Sequence, residues 1–252
     1  MKVVAIIQAR MGSTRFPGKV LAELNGLPMI ELLLTRIGAA SLVDEIVVAI
    51  PSDSKDDVLR DWLHTHGVRF FRGSMMDVLE RFYMCALECR ADLVVRITAD
   101  DPLKDPEIVD YAVRYALAHP ELDYVSNTLM PTYPEGLDIE VFKFSALQKA
   151  YFDAVLSSER EHVTPYIWKH SELFRAHNFQ NKRDLSAWRW TVDKYEDLLF
   201  IREIMSNFKN QPLVSYTEII KYLDLNPKLL EMNAKKTVRN EGYIKSILED
   251  GK

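Results

Sequence analysis

The 252-residue chain has only two cysteines, Cys85 and Cys89, and no second Cys or His pair at ligand spacing. Spaced four apart on one face of a helix, they make at most half a metal site, and they read as reduced thiols in a cytoplasmic protein. An excess of positive charge is missing too. The formal net charge of −5 argues against general nucleic-acid binding, which requires a basic face. No apolar run reaches the length of a membrane span. The apolar segment Met1–Ala9 is too short for the core of a signal peptide, and no small-residue cleavage site follows it. Repeats, low-complexity tracts and Gly/Ser-rich linkers are absent, so nothing separates two domains. What is present is ordinary globular composition, 48% hydrophobic and 10% aromatic, enough to bury a substantial core.

The order of the apolar segments predicts the fold class. "VVAIIQA" (Val3–Ala9) is short, continuous and rich in β-branched residues, as a strand buried on both faces must be. A helix from about Pro28 to Ala40 follows, then a strand Glu45–Ile50, a helix Asp56–His66 closed by Gly67, and a strand Val68–Gly73. A helix Asp77–Cys89, a strand running into the acidic turn "TADDP" and a helix Pro106–His119 complete the alternation. This rhythm predicts an α/β fold with a mostly parallel, doubly wound sheet. After Asp123 the pattern changes. "DYVSN" and "LDIEVFKF" read as strands, "SSEREHVTPYIWKH" as a helix, and "RWTVDKYEDLLFIREIM" as strand, Asp and helix. We read one domain over 1–225 with an inserted subregion at about 123–188, and a charged helical tail over 226–252.

The loop "QARMGSTRFPGK" (Gln8–Lys19) carries three cations, Arg10, Arg15 and Lys19, beside Gly12, Ser13 and a Pro-Gly pair. It is not a P-loop: five residues separate Gly12 from Gly18, and Val20 replaces the magnesium-binding hydroxyl. It is not a Rossmann fingerprint either, since no glycine precedes Gly12 by two. What remains is a nest of backbone N–H groups around Met11–Thr14 that can hold phosphate oxygens, with Arg10 and Lys19 clamping from two ends. Ligands of doubly wound sheets bind at the carboxyl ends of strands, so this loop and Asp100–Asp101 are expected to face one crevice. Asp100 and Asp193 stand at strand–loop transitions. As paired oxygen donors they suit Mg²⁺; singly, each suits a helix cap or turn, and Asp101 ranks second to them. Glu135, Asp138, Glu140, Glu161 and His162 form a polar cluster fit for a polyol, with solvated strand and helix faces as the bland alternative. Trp168, Trp188 and Trp190 read as packing residues.

In "IIQARMGSTRFPGKVL" the chain resembles the sugar cytidylyltransferases that make CMP-linked acidic sugars, the CMP-KDO and CMP-sialic acid synthetases, and most of all their spore-coat-polysaccharide branch. The likeness continues in order through "TADDPL", "YPEGLDIEVF", "EREHVTPY" and "TVDKYEDL". It implies a fold related to the GT-A glycosyltransferases and attack of a sugar hydroxyl on the α-phosphorus of CTP, with pyrophosphate leaving. By the same resemblance Arg10 and Lys19 stabilise the leaving group, while Gln8, Ala9, Met11, Gly12, Ser13, Arg15 and Arg81 border the nucleotide. Asp100 and Asp193 take the metal positions, and the polar cluster borders the sugar. CTP and an acidic sugar are the expected partners. A homodimer is expected as well, because Tyr124, Tyr133, Phe142, Tyr166 and Trp168 are more aromatics than the inserted stretch is expected to cover alone. Another nucleotide-sugar pyrophosphorylase, a GT-A glycosyltransferase and a catalytically silent nucleotide-binding partner are the alternatives. The glycosyltransferase would want an Asp-x-Asp element, which "ADD" is not. A silent partner need not keep Arg10, Lys19, Asp100 and Asp193 together.

Overall fold

In a computed structural model, residues 1–233 and 238–250 are described. Strand β1 (Val3–Gln8) points Val3, Ala5 and Ile7 into one core and Val4 and Ile6 into another. A strand that must bury both faces belongs at the middle of a sheet with helices on each side. A small hairpin, β2 (Glu23–Leu24) and β3 (Leu27–Pro28), leads into α1 (Met29–Gly38). The alternation then runs β4 (Glu45–Pro51), α2 (Asp57–Thr65), β5 (Phe70–Gly73), α3 (Val78–Glu88), β6 (Leu93–Thr98) and α4 (Pro106–Ala118). Asp77 caps α3 and Asp105 caps α4, each accepting a backbone N–H, and Pro106 opens α4 where its missing N–H costs nothing.

Beyond α4 come β7 (Tyr124–Ser126), β8 (Glu140–Lys143), α5 (Phe144–Asp153), α6 (Ser157–His162), α7 (Pro165–Lys169), β9 (Ala176–Asn178), α8 (Tyr195–Asn207), α9 (Tyr216–Leu225) and α10 (Glu241–Glu249). One seven-stranded sheet has the order β5-β4-β1-β6-β8-β7-β9. Strands β5, β4, β1 and β6 are parallel, β8 runs antiparallel to β6 and β7, and β9 is parallel to β7. The mostly parallel α/β fold is the predicted one, and the 123–188 stretch supplies β7, β8 and β9 to that same sheet.

Local departures have local causes. "LDIEVFKF" gives only the short β8, because the Phe144 N–H turns to the Asp92 carbonyl (2.9 Å) and opens α5. "SSEREHVTPYIWKH" is two helices, not one, broken at Val163, whose φ of 72° is rare for a β-branched residue. The strand read at Arg189 reduces to a single bridge between Glu135 and Arg189. The aromatic reasoning for a dimer fails on packing: Tyr124, Tyr133, Phe142 and Tyr166 are buried within the chain, and Trp168 packs edge-on against Tyr243 of α10. Cys85 and Cys89 are buried free thiols. No described helix is long and apolar enough to cross a membrane.

Strand order sets the position of the site. Strand β1 has β4 on one side and β6 on the other, so the chain winds away from it in both directions. The loops that leave β1 and β6 therefore open onto one crevice.

Candidate active site

Two cavities meet in that crevice. One, of about 760 Å³, is bordered by Gln8, Ala9, Arg10, Ser13 and Lys19 from the cationic loop and by Arg81 of α3. The other, of about 430 Å³, is bordered by Glu135, Asp138 and Glu140 together with Arg96, Lys104 and Arg189. Arg15, Thr98, Asp100, His162 and Asp193 border both.

The cationic loop is shaped by a buried carboxylate beneath it. The Met11 N–H donates to Asp56 Oδ1 (2.6 Å), while the Ser13 and Gly18 N–H groups donate to the Met11 carbonyl (3.0 and 2.9 Å). The Met11 side chain packs on the core. Neither Met11 nor Gly12 borders the cavity, which corrects the expected nest: its rim is formed by Ser13 and Thr14. Gly18 adopts φ 73° and starts the short turn Lys19–Leu21 that sends Lys19 inward. Among the described residues that border this cavity, two buried polar atoms have no partner, Gln8 Oε1 and Arg81 Nε. Arg81 is tied by one hydrogen bond to the Ser74 carbonyl (2.5 Å), and burial together with nearby Arg10 pulls its pKa down to about 10, still charged at neutral pH. Arg10 is exposed at the mouth and makes no ion pair among the described residues. Arg10 and Arg81 thus have no carboxylate partner among the described residues, as an anionic ligand requires.

At the junction, Lys19 Nζ donates to Asp100 Oδ2 (2.9 Å), Asp193 Oδ1 (3.0 Å) and the Val192 carbonyl (2.7 Å). Burial alone would push this ammonium toward neutrality, but Asp100 and Asp193 outweigh it and hold its pKa above the usual lysine value. Asp193 also meets Arg189 (2.6 Å) and Arg15 (2.9 Å). Burial raises its pKa, yet Lys19, Arg189 and Arg15 prevail and draw it to about 2. Neither aspartate serves as a helix cap. Asp197, one turn into α8, accepts the N–H groups of Asp193 and Lys194 (2.9 Å each), which frees the Asp193 side chain to face the crevice. Asp105 takes the capping task that Asp100 was an alternative for. Asp101 is buried against Lys104 (2.9 Å) and the Thr98 hydroxyl (2.6 Å), so it is a structural carboxylate.

Both Asp100 and Asp193 reach one ammonium, so their oxygens can also converge on one small cation. Two carboxylates, with phosphate oxygens or water completing the shell, form a donor set that fits Mg²⁺. Among the described residues no group of three or more His, Cys, Asp or Glu side chains is placed to hold a metal without such help.

The second cavity is a lattice of ion pairs. Arg189 reaches Glu135 (2.6 Å), Asp193 and Asp197 through three different nitrogens. Gly136 makes the first pairing possible: at φ 107° it lets the chain pass so close to Trp190 that a Cβ would lie 2.8 Å from the Trp190 carbonyl carbon. Asp138 pairs with Arg239, and Glu140 with Arg96. Burial raises the pKa of Glu135 and Asp138 despite these partners; at Glu140 burial acts the same way but Arg96, Thr164 and Tyr124 overcome it and lower the pKa. His162 is pulled down to about 4 by burial and by Arg96, so it is neutral near pH 7 and a weak proton acceptor there. Its Nε2 lies 3.1 Å from the Ser246 hydroxyl, which donates to Glu161 (2.6 Å). Glu161 itself borders the first cavity and not the second, unlike the other four members of the predicted polar cluster.

Sequence reading missed four contributors: Arg96, Lys104, Arg189 and the tail. A charged residue inside "LVVRIT" is the signal for Arg96, since an arginine in a buried strand is costly unless it is used. The 226–252 segment is no appendage. Its helix α10 docks on α6, brings Glu241 to Arg15 (2.8 Å), and lines the crevice with Glu241, Gly242 and Tyr243. Trp168, read as packing, borders the second cavity as well.

A cationic pocket beside a polar pocket across a pair of carboxylates suits transfer of a phosphate-bearing group. Residues 4–241 match the family model described as cytidylyltransferase. The chain is 37% identical over 247 residues to the uncharacterized protein MJ1063 of Methanocaldococcus jannaschii, covering 96% of this chain and 98% of that one. It is 32% identical over 239 residues to the spore coat polysaccharide biosynthesis protein SpsF of Bacillus subtilis, covering 89% and 95%. A solved cytidylyltransferase from Leptospira borgpetersenii superposes with a TM-score of 0.89 at 33% identity, over 94% of this chain and all of that one. The chain belongs to the cytidylyltransferase family and is a CTP-dependent nucleotidyltransferase.

Proposed function

We propose that this protein transfers CMP from CTP to a hydroxyl of an acidic sugar, releasing pyrophosphate, for the synthesis of a surface polysaccharide or glycan. One observation carries the reading: a cationic cavity whose Arg10 and Arg81 have no carboxylate partner among the described residues and a polar cavity share Asp100 and Asp193 at their boundary, where Lys19 bonds to both. The triphosphate lies on the β1 side, against Arg10, Arg15, Lys19 and the Ser13–Thr14 rim, with Gln8 and Arg81 bordering the nucleoside. Asp100 and Asp193 would hold Mg²⁺, which when bound would offset charge on the phosphates and make the α-phosphorus easier to attack. The acceptor lies among Glu135, Asp138 and Thr128, whose oxygens accept sugar hydroxyls. Attack from that side expels pyrophosphate toward Lys19 and Arg10, which are in place before negative charge develops on it and so cost no reorganisation.

The test is pyrophosphate release with Mg²⁺ across CTP, ATP, GTP and UTP and across acidic and neutral sugars. CTP with an acidic sugar is the expected productive pair. Equal rates with all four nucleotides, or release that ignores the acceptor, contradict the reading.

A further inference from the structure

The described lining of the acceptor cavity holds seven carboxylates, Asp100, Asp101, Glu135, Asp138, Glu140, Asp193 and Glu241, against four cations, Arg15, Arg96, Lys104 and Arg189. Even with Lys19 and Arg239, which pair with Asp100, Asp193 and Asp138 from outside the lining, cations do not outnumber carboxylates, so an entering carboxylate needs a dedicated donor. Three of the four cations are committed. Arg15 spends both terminal nitrogens on Asp193 and Glu241, and Arg189 spends all three on Glu135, Asp193 and Asp197. Lys104 is buried between Asp101 and the Asp138 carbonyl.

Arg96 differs. It pairs with Glu140 through Nη1 alone; Nε is buried without a partner, and Nη2 makes no hydrogen bond among the described residues. Its anchor is fixed in turn: Glu140 Oε1 accepts the hydroxyls of Tyr124 (2.7 Å) and Thr164 (2.6 Å). Arg96 is thus a planar fork held by one tine on a rigid strand, its side chain 15% exposed, two residues before Thr98 at the boundary of the two cavities. A guanidinium restrained in this way loses little conformational freedom when it binds a second carboxylate. His162 and Thr164, the neighbours of Val163, both border this cavity, and His162, being neutral, adds no competing charge.

We propose that Arg96 is the specificity-determining residue that binds the anionic group of the acceptor, a sugar carboxylate, with Glu140 as its positioning residue. The inference rests on the acidic-sugar reading above and assigns the recognition to one side chain.

The experiment compares an acidic sugar with its methyl ester, with CTP and Mg²⁺, in wild type, Arg96→Gln and Arg96→Lys. Wild type is expected to prefer the free acid. Arg96→Gln should raise the acceptor KM roughly 10- to 100-fold, the size of one charge-assisted hydrogen bond, and erase the acid-over-ester preference, with the KM for CTP within about twofold. Arg96→Lys keeps a charge beside Glu140, so it guards against misfolding of the glutamine variant; it should fold with a normal melting temperature and lose most of the preference. An Arg96→Lys protein that retains the full preference overturns the proposal. So does a wild type that uses acid and ester equally well, while cytidylyl transfer itself stands. A wild type that releases no pyrophosphate with any acceptor overturns the function reading beneath it.

Discussion

The two halves of the crevice handle charge in opposite ways. On the nucleotide side Arg10 is exposed and unpaired among the described residues, and Arg81 is buried with one hydrogen bond and an orphaned Nε. On the acceptor side nearly every ionic group already has a partner: Arg189 with three carboxylates, Lys104 with Asp101, Asp138 with Arg239. The first side is built to be completed by an anion of high charge. The second is finished in advance and selects by the positions of a few remaining donors and acceptors. Preorganisation of this kind costs stability in the free protein and returns it as orientation of the bound acceptor. Lys19, Asp100 and Asp193 stand where the two regimes meet, and the comparison is sharpest there.

The largest expected effect is at Lys19. Lys19→Ala should lower kcat by about 10²–10³, the cost of losing one preorganised charge at the reacting group, and should change CTP binding much less. Lys19→Arg keeps the charge and changes its shape, so a partial recovery separates electrostatics from geometry. Steady-state pyrophosphate release on folded variants reads both. A folded Lys19→Ala protein with near-normal kcat would reduce the loop to a basic turn and erase the contrast between the two sides.

Asp193→Asn comes next, and it acts on stability as well as rate. The substitution leaves Lys19, Arg15 and Arg189 crowded around a neutral amide. Loss of about 3 kcal/mol in unfolding free energy is expected, as for removal of one partner from a largely buried ionic cluster. Urea denaturation reads it. An unchanged midpoint would mean the cluster is screened by solvent and not preorganised.

His162 gives the smallest effect and a sign that can be checked. Its folded pKa of about 4 lies below the ordinary histidine value of 6.5, so the unfolded chain takes up a proton first as the pH falls. Stability should therefore be unaffected by this group above about pH 6.5 and should drop between about 6.5 and 4, the loss reaching about 3 kcal/mol only at the acid end. In His162→Gln that part of the acid sensitivity should vanish. Thermal melts across this pH range decide it: parallel curves for the two proteins would show that His162 is not held neutral by its surroundings.

The contrast also explains what could be seen in the sequence. The parallel sheet was legible because β1, β4 and β6 are short, largely apolar runs rich in β-branched residues, and the nucleotide side because Arg10, Arg15 and Lys19 lie within one loop. The acceptor side is assembled from pairs remote in the chain: Arg96 with Glu140, Glu135 with Arg189, Asp138 with Arg239. No local pattern announces such pairs. The misplaced dimer aromatics have the same origin, since Tyr124 and Phe142 are covered by elements that approach from elsewhere in the fold. The role of α10 was hidden for the reason that its residues look like a solvated tail until α6 is beside them.

The central claim is that the two cavities work as one site across the Lys19–Asp100–Asp193 junction. It is tested most directly by incubating the protein with CTP, Mg²⁺ and an acidic sugar, then measuring pyrophosphate and the mass of the nucleotide product in the same reaction. Pyrophosphate and a CMP–sugar adduct should appear in equal amounts, with both falling together in Lys19→Ala. Pyrophosphate released without an adduct, or an adduct formed at the normal rate without Lys19, would contradict it.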